Sequence, residues 1–118
     1  TICLVGSEMC IRDRVIGHLN VGLCLDTCHT WAGGIPTIDA VKGFKKLVKK
    51  IDLIHFNDSK DGFESSRDRH ENLGKGKIPN EEFEYVIKNA KTDIIVETPN
   101  GPDAQKKDIA WIKRRLKK

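Results

Sequence analysis

The sequence predicts a parallel α/β fold, and three observations lead there. Short apolar runs alternate with longer stretches whose apolar residues recur at helical spacing, in the order strand, helix, strand, helix, strand, helix. The runs are continuously apolar rather than alternating, as expected of strands covered on both faces of a parallel sheet. Each run also ends in a residue able to ligate a metal. In parallel α/β barrels the C-terminal ends of the strands are where functional residues sit.

The first strand is read as Val21–Leu25, closing on Asp26-Thr27-Cys28-His29. Trp31 to Pro36 carries the Gly and Pro punctuation of a loop. A helix is expected from about Thr37, a suitable N-cap, to Lys50, with Ile38, Val41, Phe44, Leu47 and Val48 as its apolar stripe. The second strand is about Asp52 to Phe56, followed by a long polar loop to Gly76. Pro79-Asn80 opens the next helix. Asn80 can cap it, Glu81 and Glu82 suit its positive end, and Phe83, Val86, Ile87 and Ala90 form its stripe. The third strand, Asp93–Val96, ends in Glu97-Thr98-Pro99. A last helix is expected from about Asp103, with Ile109, Ile112 and Leu116 on one face and Lys113 to Arg115 complementing the dipole.

The totals narrow the class. At 118 residues the chain can build one domain with a core. With 38% hydrophobic and 32% charged residues it is globular rather than disordered, and no apolar run reaches membrane-spanning length. The net charge of +4 permits a polyanionic partner without requiring one. The lysines at 42, 45, 46, 49 and 50 and the basic C-terminus read as solvated helix faces. Cys24 and Cys28 stand at C-x3-C spacing, which matches neither a zinc knuckle nor a redox pair. A reducing, cytoplasmic setting without a structural disulfide is expected.

The first fourteen residues, T-I-C-L-V-G-S-E-M-C-I-R-D-R, fit nothing downstream and lack the features of a signal peptide. The string resembles translated sequencing-adapter sequence. Residues 1–14 are therefore expected to be non-native, with genuine protein beginning near Val15.

The chemistry concentrates between Asp52 and Gly76 and at the strand ends. Asp68 and His70 are one residue apart, so in an extended segment both side chains leave the same side and can chelate one cation. Taken alone, Asp-Arg-His could equally be a solvated loop and His55 a hydrogen-bonded strand histidine. Asp26, His29, His55, Asp68, His70 and Glu97 together make three carboxylates and three imidazoles at strand ends or just beyond. That mixture suits Zn²⁺, with Mn²⁺ or Fe²⁺ as alternatives. Six ligands exceed one tetrahedral zinc. Clustered divalent ions serve phosphodiester chemistry by stabilising both the attacking and the leaving oxygen.

These residues carry a resemblance. Gly22-Leu23-Cys24-Leu25-Asp26-Thr27-Cys28-His29, His55-Phe56-Asn57-Asp58-Ser59-Lys60, Asp68-Arg69-His70-Glu71-Asn72-Leu73-Gly74-Lys75-Gly76 and Val96-Glu97-Thr98-Pro99 resemble the zinc-binding signatures of endonuclease IV, the second structural family of apurinic/apyrimidinic (AP) endonucleases. The likeness covers roughly Val15 to Lys118, in family order. It implies the last three βα units of a TIM (β/α)8 barrel, whose whole length is roughly 250 residues. It further implies a three-zinc DNA-repair hydrolase that cuts the backbone 5′ to an abasic site. Asp26, His55 and Glu97 would bind one zinc, and His29, Asp68 and His70 another. The third zinc draws on positions in earlier strands that this sequence does not contain. Glu97 would also orient or deprotonate the nucleophile. One departure is visible. The family loop usually carries an arginine two residues before the aspartate of Asp-Arg-His, where this chain has Ser66, with Arg67 beside it.

Double-stranded DNA with abasic sites is the implied partner, with Asn57, Lys60 and Arg69 as candidate backbone contacts because they flank the ligands. No membrane partner is expected, and the full-length protein should be monomeric. The alternatives are a metal-dependent sugar isomerase or epimerase on the related barrel, against which the Asp68-Arg69-His70 double ligand argues, and a non-catalytic metal-binding fragment. The 118 residues alone are expected to be inactive.

Overall fold

The computed structural model describes residues 2–3, 23–47 and 51–117. The expected adapter-like segment apart from Ile2 and Cys3, the opening of the first strand at Val21 and Gly22, the Leu47 side chain and the helix end at 48–50 lie outside the described residues.

Strands β1 (Ile2–Cys3), β2 (Leu23–Asp26), β3 (Leu53–His55) and β6 (Asp93–Ile95) form one parallel sheet in the order β1-β2-β3-β6. The pairing places Asp26 beside His55 and His55 beside Ile95. Register alone therefore aligns the ends of three strands. Helices α2 (Thr37–Leu47) and α3 (Asn80–Asn89) supply the crossovers, and α4 (Gly101–Leu116) follows the last strand. Their apolar faces and the strands share one core. Leu25 and Ile54 come from the sheet, Val41 and Phe44 from α2, Phe83 and Val86 from α3, and Ile112 from α4. Phe56 and Phe83 pack with ring centroids 4.9 Å apart. Each such buried side chain contributes about 1.5–3 kcal/mol.

Several sequence expectations need correction. A short helix, α1 (Thr27–Ala32), follows β2 directly, where a loop was read from Trp31. Six residues are too few to display helical periodicity. This one depends on capping by Asp26, whose Oδ1 accepts from the N–H groups of Cys28 and His29 at 2.9 and 3.1 Å. Helix α2 includes Thr37 rather than starting after it, and its first turn is capped from another helix, Ile38 N–H donating to Glu82 Oε2 at 2.7 Å. Asn80 is likewise inside α3, with Pro79 at the cap position.

Helix α4 begins at Gly101, two residues earlier than expected. Its stripe is only partly covered. Ile112 is buried, whereas Ile109 and Leu116 are 42% and 59% exposed. With Ile87, Ala90, Ile94 and Val96 they line an apolar groove of about 490 Å³ along α3, β6 and α4.

The polar stretch after β3 contains an antiparallel pair, β4 (Asp58–Ser59) with β5 (His70–Glu71). It forms because Asp58 organises the chain around it. Its buried carboxylate accepts N–H groups from Ser59, Gly74, Gly76 and Ile78 at 2.8 to 3.1 Å. Burial pushes the Asp58 carboxyl above its usual range, and these four donors pull it back. Gly76 passes so close that an added Cβ would lie 2.3 Å from the Ser59 carbonyl oxygen. Asp58→Ala should cost about 3–5 kcal/mol, because several part-buried amides lose their acceptor together. The check is the denaturant midpoint of the full-length protein. A shift equivalent to less than about 1 kcal/mol would show that the loop holds itself without this carboxylate.

Candidate metal centre

Asp26 ends β2, His55 ends β3, and Glu97 lies two residues past β6, so the parallel register delivers three ligands side by side. His29 stands on the first turn of α1. His70 is carried in by β5, with Asp68 just before it. All six expected ligands converge.

The distances define a connected cluster. Asp68 lies between two imidazoles, its Oδ2 2.9 Å from His29 Nε2 and its Oδ1 3.0 Å from His70 Nε2. Glu97 Oε2 is 3.2 Å from His55 Nδ1. Asp26 is the hub. Its Oδ2, opposite the oxygen that caps α1, lies 3.8, 3.7 and 4.0 Å from His29, His55 and His70 nitrogens. Burial raises the Asp26 carboxyl above its usual range, against the opposing pull of the three histidines and the His29 amide. A buried carboxylate among imidazoles is the kind of charge that a cation compensates.

His70 provides the direct test of fit. Its Nδ1 is 3.0 Å from the Glu97 carbonyl oxygen, which can only accept, so the proton belongs on Nδ1. Nε2 then presents a lone pair. It is buried and makes no hydrogen bond, although Asp68 Oδ1 lies 3.0 Å away. A lone pair facing a carboxylate is repulsive unless a proton or a metal cation stands between them, and a cation held there would be ligated by both. Among the described residues, three candidate ligand groups each have donor atoms within 4.8 Å of one another: Asp26–His29–His70, Asp26–His55–Glu97 and Cys28–Asp68–His70. The residues therefore fit a divalent-metal centre with Asp26 shared between two groups.

Sequence reasoning missed Cys28, one residue from His29. It joins Asp68 and His70 in the third group; burial pushes its thiol up to about 12, and its Sγ–H donates to the Arg69 carbonyl oxygen at 3.8 Å.

The three expected DNA contacts separate. Lys60 is exposed. Arg69 is forked onto Asp61 at 2.8 and 2.6 Å. That pair holds the Asp61 carboxyl below its usual range and braces the ends of the loop. Asn57 is fully buried, its Nδ2 reaching Asp26 Oδ2 at 3.4 Å and its Oδ1 accepting the Glu97 N–H at 2.8 Å, so its side chain braces the site from inside. The loop between them is clamped onto α1, Glu64 and Ser66 donating N–H groups to the Trp31 and Ala32 carbonyls. Ser66, at the place of the family's usual arginine, has a left-handed backbone (φ 60°). Gly34 leaves room for the loop, since a Cβ there would come within 2.9 Å of Glu64 Cγ.

The chain has relatives among known proteins. The family described as a xylose isomerase-like TIM barrel matches residues 10–115. A Mycobacterium tuberculosis protein named "Probable endonuclease 4" is 46% identical over 101 residues, covering 86% of this chain and 39% of its own length. The protein of the same name from Mycobacterium leprae is 45% identical over 101 residues, again covering 86% and 39%. The crystal structure of endonuclease IV from Thermus thermophilus superposes with a TM-score of 0.71 at 27% identity, over 82% of this chain and 39% of that one. The chain thus spans about two-fifths of the length of the relatives it matches. The match over residues 10–115 places the chain in the xylose isomerase-like TIM-barrel family, and its parallel strands with their helical crossovers correspond to part of a barrel like that of endonuclease IV.

Proposed function

We propose that this segment supplies most of the metal centre of a zinc-dependent AP endonuclease, which hydrolyses the DNA phosphodiester 5′ to an abasic site. The observation that carries the reading is the convergence of the six candidate ligands, four of them grouped with Asp26 and Asp68 set between His29 and His70. Relatives named endonuclease 4, at 43–46% identity, support the reaction class. The related sugar isomerase or epimerase reading has only the family-level likeness behind it.

Asp26, His55 and Glu97 would hold one ion and His29, Asp68 and His70 another. Such ions neutralise charge building on a phosphoryl group and make water a nucleophile near neutral pH. The protein's own side chains divide the remaining work. Asp26, buried and tied to α1, fixes the centre. Glu97 and Asp68 are 44% and 57% exposed, so their carboxylates face the side from which a substrate arrives. Glu97 is the group placed to orient the attacking water and accept its proton. Lys60, exposed and bonded through its main chain to Arg69 between Asp68 and His70, would be a phosphate contact.

The test is incision of a duplex with one abasic site by the full-length protein, with an undamaged duplex and a ketose as the other arms. Chelator-sensitive cutting 5′ to the lesion is expected. Ketose turnover without incision would favour the isomerase reading. In the same assay Lys60→Ala should bind more weakly with a salt slope shallower by about 1. An unaltered slope would return Lys60 to a structural role.

A further inference from the structure

We infer that Asn57 is a positioning residue that fixes the spacing of two metal ligands, Asp26 and Glu97, and through Glu97 couples the two ligand groups. The inference rests on the metal reading of the proposed function.

Asn57 follows His55 by two residues, just beyond the end of β3, the middle strand of the three that carry ligands. Its main chain is locked to the residue after Asp26. Asn57 N–H donates to Thr27 Oγ1 at 2.8 Å, and the same hydroxyl donates to the Asn57 carbonyl at 2.6 Å. Its side chain then reaches both ways across the sheet. Oδ1 accepts the Glu97 N–H at 2.8 Å, and Nδ2 points at Asp26 Oδ2 from 3.4 Å. That oxygen is the one not used to cap α1, and it is the one facing the three histidines.

An amide suits this position because it offers a donor and an acceptor in one rigid plane. The donor steadies a carboxylate, and the acceptor holds a peptide N–H. The Glu97 residue is gripped from its other end as well, since its carbonyl receives His70 Nδ1 at 3.0 Å. One residue's main chain thus ties Asn57 to His70, and so the Asp26–His55–Glu97 group to the Asp68–His70 side of the centre. Outer-shell partners that orient ligands typically contribute 10–100-fold to metal affinity. A residue that merely filled the core would not need its polar atoms aimed at two ligands.

The experiment compares wild type, Asn57→Leu and Val86→Ala in the full-length protein. Leu keeps the size of Asn and removes both side-chain bonds. Val86 is fully buried on α3 and bonded to no ligand, so its variant controls for destabilisation alone. Zn²⁺ affinity is read by competition with a chromophoric chelator, and ligand geometry by the visible spectrum of the Co²⁺-substituted protein. Asn57→Leu should bind Zn²⁺ about 10–100-fold more weakly at one site and shift the Co²⁺ bands. Val86→Ala should match wild type in both. Unchanged affinity and spectrum in Asn57→Leu overturn the inference, as does an equal loss in Val86→Ala. If wild type itself binds no divalent metal, the metal reading fails and the inference falls with it. That outcome is distinct from a wild type that binds and an Asn57 variant that binds equally well.

Discussion

Asp26→Ala is expected to strip the protein of bound zinc and to lower incision of abasic duplex by on the order of 10³-fold. The size of the effect follows from the double use of one carboxylate. Asp26 belongs to two of the three ligand groups, Asp26–His29–His70 and Asp26–His55–Glu97. Its removal leaves each group with two ligands. The same residue caps α1, so the substitution also costs about 1 kcal/mol and loosens the turn that carries His29. Asp26→Asn separates the two roles. It retains an oxygen for the Cys28 and His29 amides and loses the charge, so zinc is lost while thermal stability should match that of metal-free wild type. Elemental analysis of zinc per chain, measured beside the incision rate, is the check. Full zinc content with wild-type cutting in both variants would show that the centre does not depend on its most buried ligand.

The second large effect concerns residues 15–118 expressed by themselves. They should aggregate or stay partly unfolded, and purified material should not cut abasic DNA even with added Zn²⁺. Strand β6 is at the edge of the sheet among the described residues, and Ile95 on it is 48% exposed. Ile109 and Leu116 are exposed beside it, along an apolar groove of about 490 Å³. Barrels stay soluble partly because they have no free edge. Apolar surface left in water forfeits about 25 cal/mol per Å², against a net stability of about 5–15 kcal/mol for an ordinary domain. The chemistry points the same way, since the resemblance assigns the ligands of a third zinc to earlier strands. Light scattering and an incision assay on monodisperse material decide the matter. Chelator-sensitive cutting well above background would mean that these six ligands suffice.

The order of the elements and the candidate ligands are legible without coordinates. Continuous apolar runs such as Leu53-Ile54 can only be covered strands or short buried helix, and the helical stripes between them settle which. A chelating residue stands visibly after each run, and the Asp68-Arg69-His70 spacing is as plain. What stayed hidden lay in features with no period. Helix α1 is too short to have one, and it exists because Asp26 caps it and the 60–69 loop is clamped onto its carbonyls. The β4–β5 pair exists because the Asp58 carboxylate gathers four amides from residues 59, 74, 76 and 78, partners that a linear reading cannot assign to it. The partners of Asn57 and Arg69 were hidden for the same reason. Both are polar and flank ligands, which reads as availability to DNA, yet the fold commits Asn57 to Asp26 and Glu97 and Arg69 to Asp61. Residue type and spacing specify which groups can ligate. Which polar groups remain free to meet a substrate is set by packing in three dimensions, because each buried donor or acceptor must first find its partner inside the protein.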